Sequence, residues 1–205
     1  MTRGRLCGVQ LTREAIVTAA LDILDAYGLN DMTMRRVSSH LGVAPGALYW
    51  HLPNKQQLIS AIADEILSPA LAHSEYSAPE DLSGRLRQAM LAHRDGAELV
   101  AAALSQPDSA TRSNVEKQLA ESLSLVSTDD DLRRVGACAL LHLVLGASAQ
   151  EQAQIQYARD TGTEIAGLES AGDDFRQSID LIVFGLERRS TSQVYRPSTH
   201  YDQTT

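Results

Sequence analysis

Residues 33–55, TMRRVSSHLGVAPGALYWHLPNK, carry the side chains best placed to act on a partner surface. They read as two short helices joined by a tight turn at Leu41-Gly42-Val43, with a capped third helix following at once. Gly42 supplies a backbone geometry that a β-branched residue resists. Pro45 suits the first position of the second helix, where its missing N–H costs nothing. That helix, about 45–51, is only about two turns long and shows Tyr49, His51 and small residues instead of a broad apolar face. A helix so short is not kept for its own stability. It makes sense as something presented to a groove, as in a helix-turn-helix.

Other reactive residue types do not assemble into a site. His93 and His142 are far apart in sequence and read as structural histidines. Asp129-Asp130-Asp131 reads as a helix-start cluster, where negative charge suits the helix dipole. Gly167 and Gly172 flank Ser170 at the wrong spacing for a nucleophile elbow, and neither a P-loop nor a GxGxxG occurs. Cys7 and Cys138, the only cysteines, form neither a disulfide framework nor a zinc pattern and suit a reducing cytosol. The expectation is no catalytic residue, no metal, no cofactor and no enzymatic activity.

The 205 residues are 43% hydrophobic, enough for a real core. The N-terminus lacks an apolar signal region, and the longest apolar run, 136–149, is too short to span a bilayer. A cytoplasmic protein with no membrane partner is expected. The net charge of −8 argues against nucleic acid at first. Its distribution does not: residues 1–55 hold six Lys and Arg against four Asp and Glu, and residues 56–205 hold 12 against 22. One weakly basic head neutralises few phosphates, so a second copy would help.

Helical periodicity dominates and no strand alternation or repeat is present. Helix 1 is expected over about 12–27, capped by Thr12, with Ile16, Ala19, Ala20, Ile23, Leu24 and Tyr27 on its apolar face and Gly28 ending it. Thr33 caps helix 2. Asn54 caps helix 4 with Gln57 completing a capping box, and this helix runs to about Leu67 before Pro69 bends or stops it. Further helices are expected at about 82–93, 97–105, 108–125, 129–158 and 173–189. The chain thus divides into a head (1–55), a body (56–189) and a polar, disordered tail (190–205). The fold class is all-α.

Segments 135–149 and 179–186 are apolar nearly all round, and such helices are buried on every side. They form either a central core helix with its neighbour or a homodimer interface. The interface reading uses Leu143, Gly146, Ala147, Ile179, Val183 and Leu186, with the small residues allowing close approach.

Leu41-Gly42-Val43, Leu48-Tyr49-Trp50-His51 and Asn54-Lys55 together resemble the TetR-type transcriptional repressors. His93-Arg94-Asp95-Gly96-Ala97, His142 with Leu145-Gly146, Gln150-Glu151-Gln152 and Phe184-Gly185-Leu186-Glu187 resemble the effector domain of the tetracycline-repressor branch. The resemblance implies an all-helical dimer: a three-helix, helix-turn-helix head on each protomer, and a helical effector-binding and dimerisation body whose last long helices form a four-helix bundle. Two heads would read half-sites of a palindromic operator in major grooves about 34–36 Å apart. In that comparison Arg35 matches a groove-contacting arginine, able to pair with guanine. Thr33 could donate to phosphate while capping its helix. Tyr49 and His51 match phosphate- or base-contacting positions, and Lys55 matches a phosphate-contacting lysine. Pro45, Gly46 and Ala47 replace more polar readers and offer only apolar contact or close backbone approach. Trp50 is expected in the core.

The effector site departs from the tetracycline repressors, which the resemblance describes as holding a magnesium–drug chelate with a His and a Glu. The His position falls on Val100 and the Glu position on Gln150. Other contacts fall on Leu71, Leu82 and Leu86, and Gln118 alone keeps the family's residue. Valine cannot bind a hard cation and a neutral amide binds it weakly. The expectation is a repressor released from operator DNA by a small lipophilic organic molecule. A helical ligand-binding or adaptor protein without operator recognition is the alternative.

Overall fold

The computed structural model describes residues 11–72, 77–164, 167 and 170–193. Among them the chain forms only helices: α1 Arg13–Tyr27, α2 Met34–Leu41, α3 Pro45–Tyr49, α4 Lys55–Leu71, α5 Pro79–Leu91, α6 Gly96–Leu104, α7 Ala110–Ser122, α8 Asp130–Thr161 and α9 Ala171–Gln193.

Local chemistry sets the ends of the head helices. The Thr12 and Thr33 hydroxyls each accept an orphan N–H, from Ala15 and Arg36, both at 3.2 Å. The Asn54 carbonyl oxygen accepts the Gln57 N–H at 2.8 Å. Gly42 ends α2 in the left-handed region at φ +69. Its N–H reaches Ser39 O at 3.2 Å, while Val43 N–H reaches Ser38 O at 3.0 Å. This paired closure, which a Cβ at Gly42 would strain, turns the chain sharply into α3.

One continuous apolar core runs from head to body. Ile16, Ala20, Ile23, Leu24, Val37, Leu48 and Leu52 of α1–α3 and the turn after them pack with Leu58 and Ile62 of α4, and Leu82, Leu86, Leu99, Val115, Leu119, Leu140 and Val144 fill the body. Helix α4 belongs to both, packing against α1 on one side and α5, α6 and α7 on the other. Helix α8 packs against α5, α6, α7 and α9.

Several sequence expectations are corrected. Pro69 does not stop α4, which continues to Leu71; burial of Ile66, Leu67 and Ala70 on both sides of it outweighs the one lost hydrogen bond. Tyr27 is 52% exposed, with the Arg36 guanidinium 3.8 Å from its ring centre. Helix α9 runs through Gln193, so the first part of the expected tail is helical; residues 194–205, Cys7 and residues 73–76 lie outside the described residues. Helix α8 as a whole is long and apolar enough to cross a bilayer by length and composition. Its buried residues, Leu132 to Ser148, face the body core.

Candidate nucleic-acid interface

Helix α3 is only five residues long and is held to the core by two side chains. Leu48 and Leu52, one turn apart, are 0% and 1% exposed, and burying each contributes about 1.5–3 kcal/mol. The 48–52 turn is closed by Leu52 N–H to Leu48 O at 2.8 Å. With those two residues inward, Pro45, Gly46, Tyr49, Trp50 and His51 face outward. Ala47 is half-buried, and so is Lys55 at the start of α4. Thr33 and Arg35 are exposed on α2. The eight expected contact residues therefore all reach the surface of the α2–α3–α4 corner.

The two neighbouring arginines of α2 differ in use. Arg36 is committed to Asp31 and to the face of Tyr27. Arg35 makes no hydrogen bond or ion pair with its side chain among the described residues, and neither does Lys55. Two uncommitted cations on one corner can neutralise phosphate without first breaking an internal pair. A Cβ added at Gly46 would meet nothing within 4 Å, so this part of α3 is bare backbone open to close approach. On α1, the Glu14 carboxyl is held below the usual carboxylate range by a backbone hydrogen bond and the Thr12 hydroxyl.

Trp50 overturns its core assignment. It is 90% exposed, because Leu48 and Leu52 take the inward positions and leave residue 50 on the opposite side of the turn. It adds an aromatic surface between Tyr49 and His51 that sequence reasoning placed inside.

Polar bridges join this head to the body along α4. Ser60 donates to Gln106 Oε1 at 3.1 Å, and Gln106 Nε2 donates to Gln56 O at 3.3 Å. Thr111 donates to Asp64 at 2.6 Å. At the end of α1, Asp25 accepts the Arg94 N–H at 3.1 Å and lies 3.1 Å from His93 Nδ1. Asp95 accepts the Leu29 N–H at 2.8 Å.

The six expected effector residues are divided. Leu82, Leu86 and Val100 are 2%, 1% and 1% exposed, inside the body core. Leu71 and Gln118 meet at their edge, with Gln118 Nε2 3.5 Å from Leu71 O. Gln150 does not join them within the protomer. It is exposed and lines a cleft of about 330 Å³ between α8 and α9, with Leu143, Ala147, Gln154, Phe175 and Ser178. No group of three or more His, Cys, Asp or Glu could hold a metal among the described residues.

The expected interface residues divide as well. Ile179 and Leu186 are 1% and 8% exposed within the protomer, and Leu186 packs onto Gly136 of α8. Both therefore lie in the protomer's own core, not on its open face. Leu143, Ala147 and Val183 are half-buried and Gly146 is exposed. Within the two apolar segments, Val135, Leu181 and Phe184 are the large side chains that face outward, at 50%, 72% and 54% exposure; none of them is among the expected interface residues.

Known proteins share both the sequence and this arrangement. Residues 16–62 match the family described as bacterial regulatory proteins, tetR family. The class A tetracycline repressor protein of Escherichia coli, from transposon 1721, is 30% identical over 203 residues, covering 88% of this chain and 92% of its own. The class C protein of Escherichia coli is 31% identical, covering 87% and 92%. The crystal structure of Mycobacterium smegmatis BioQ superposes with a TM-score of 0.77 at 34% identity, over 87% of this chain and 99% of that one. A BioQ structure with its double-stranded DNA operator gives 0.73 at 35% identity over the same shares.

Proposed function

Because this chain belongs to the TetR family of bacterial regulators, we propose that it is a ligand-responsive transcriptional repressor, acting in the cytoplasm as a homodimer on a palindromic operator. One observation carries the reading. Leu48 and Leu52 clamp α3 to the head core while Arg35, Tyr49, Trp50, His51 and Lys55 stand outward, Arg35 and Lys55 without a side-chain partner among the described residues. We take residues 1–55 as the reading head and 56–189 as the effector-binding and dimerising body, with α4 as the shared beam between them.

The chemistry follows from that surface. Lys55 and Thr33 contact phosphate and fix register, whereas Arg35 reaches a base edge in the major groove. Pro45-Gly46-Ala47 present no polar reader, so direct readout is thin and depends on Arg35, Tyr49 and His51. The outward apolar stripe of α8 and α9 supports pairing with a second copy, which brings a second weakly basic head to the duplex. The effector is an apolar organic molecule bound among Leu71, Leu82, Leu86, Val100 and Gln118. The donor set does not suit a magnesium–tetracycline chelate: Val100 has no ligating atom, and Gln150 faces a separate cleft. A ligand that moves α6 or α7 also pulls on Gln106 and Thr111, and through them on α4.

The test is selection of DNA from a random pool by the intact protein, followed by titration of the selected site at several salt concentrations. A two-half-site palindrome bound with a steep salt dependence supports the proposal. Enrichment of no sequence, or of none with two-fold symmetry, would sink it and favour the adaptor reading.

A further inference from the structure

We infer that Gln152 of α8 is a positioning residue for the DNA-reading head, acting through the α5–α6 turn; the inference rests on the DNA-binding reading above. Its carboxamide makes three hydrogen bonds to that turn's backbone. The oxygen accepts the Ala97 N–H at 2.9 Å, and the nitrogen donates to Met90 O at 3.0 Å and His93 O at 2.7 Å. Ala97 lies in the first turn of α6, and a first-turn N–H has no acceptor inside its own helix.

The usual supplier would be the residue before the helix, and here that residue is otherwise engaged. Asp95 occupies the N-cap position but makes no capping bond. Its carboxylate turns away to accept the Leu29 N–H at 2.8 Å. Gln152 caps α6 in its place, which frees Asp95 to hold the head. The turn is otherwise unfavourable: Asp95 sits at φ +54, and a Cβ on Gly96 would lie 2.3 Å from Met90 O. Such a conformation persists only where its surroundings over-determine it.

Apart from the bonds to Gln152, the outward bonds of the turn among the described residues land on one place, the end of α1. Arg94 N–H goes to Asp25, the Arg94 guanidinium to Ala26 O at 3.4 Å, and Asp95 to Leu29. Gly28 makes the approach possible, since a Cβ there would lie 2.6 Å from Asp95 Oδ2. Body helix α8 is thereby tied to α1 by a run of hydrogen bonds that does not pass through α4. A head attached along one helix can still roll about that helix. A second attachment off its axis removes the roll, and roll sets the angle at which each α3 meets its half-site.

The experiment uses the full chain and a DNA site selected from a random pool by the wild-type protein. Gln152→Ala removes all three bonds. Asp95→Gly keeps the left-handed backbone but removes the acceptor for Leu29, and Asp95→Asn keeps both. Gln152→Ala and Asp95→Gly are expected to weaken binding about tenfold, the size of a lost charge-assisted hydrogen bond. Both should also flatten the penalty for one base pair inserted between half-sites. Asp95→Asn should bind as wild type. Hydrogen exchange at the Leu29 amide should accelerate in Gln152→Ala although the two residues do not touch. Unchanged Leu29 exchange in Gln152→Ala, or unchanged spacing preference in a folded Asp95→Gly protein, overturns the inference. If the wild-type chain selects no DNA, the DNA-binding reading fails, and Leu29 exchange still decides whether Gln152 acts on the head.

Discussion

Arg87 of α5 and Glu151 of α8 meet at 2.6 Å with side chains only 15% and 14% exposed. Two guanidinium N–H groups donate to the same carboxylate oxygen, from Nε at 3.0 Å and from an Nη at 2.6 Å. The Arg87 guanidinium also lies 5.4 Å from the Phe175 ring centre. Removing one partner leaves the other charge mostly buried and without its counter-charge. Arg87→Ala or Glu151→Ala is expected to cost about 3 kcal/mol. Replacing both by Met and Leu should cost less than either single change, and urea denaturation of the three variants checks this.

Gly136 of α8 sits between Leu186 of α9 and Leu123 at the end of α7. A Cβ there would lie 2.6 Å from Leu186 Cδ1 and 2.8 Å from Leu123 Cδ1. Both are side-chain tips, so the site can yield but not freely. Gly136→Ala is expected to destabilise by about 1–3 kcal/mol through overpacking, less in a Leu186→Ala background. A thermal melt of the single and double variants measures the difference.

The cations of the reading corner should separate by role. Lys55→Ala is expected to weaken all sequences alike and reduce the salt slope by about one. Arg35→Ala should cost about 1–3 kcal/mol and relax preference at one position of each half-site. Fluorescence anisotropy with matched and singly altered duplexes distinguishes the two.

Trp50 is the only tryptophan in the chain and is 90% exposed. The free protein should emit at the long wavelength of a hydrated indole. Operator binding should quench or blue-shift it, while body ligands alone leave it near its starting value. Trp50→Phe should change stability by less than about 0.5 kcal/mol, as expected of a surface site.

Leu181 and Phe184 leave a large apolar surface on α9 uncovered. Leu181→Asp is expected to shift sedimentation from dimer toward monomer and to abolish tight binding to the paired site. Far-ultraviolet circular dichroism should stay helical, because residue 181 is not part of the protomer core.

The helix ends of the head were legible because capping is local. Thr12, Thr33 and Asn54 each act on an N–H three residues away, and Gly42 closes its own helix. Trp50 was misread because a two-turn helix has too few positions to define an inside face; only Leu48 and Leu52 settle it. Pro69 was misread because burial around it outweighs a single missing bond. The role of Gln152 was hidden for a different reason. Its partners lie 55 to 62 residues away, and nothing in local spacing marks an amide that caps another helix. Motif groups Gln150, two residues earlier, with the pocket residues; within the protomer its position on α8 turns it toward α9.

The empty space over Gly46 has a consequence for how this regulator diversifies. Residue 46 lies on an outward helix face, its φ is not in the left-handed region, and a Cβ placed there meets nothing within 4 Å. Exchanging it for a longer polar residue would even favour the helix, by up to about 1 kcal/mol. Binding preference can thus change by a single codon without a folding penalty. A gene duplicate could acquire a new control region in one step while keeping the old sensor intact.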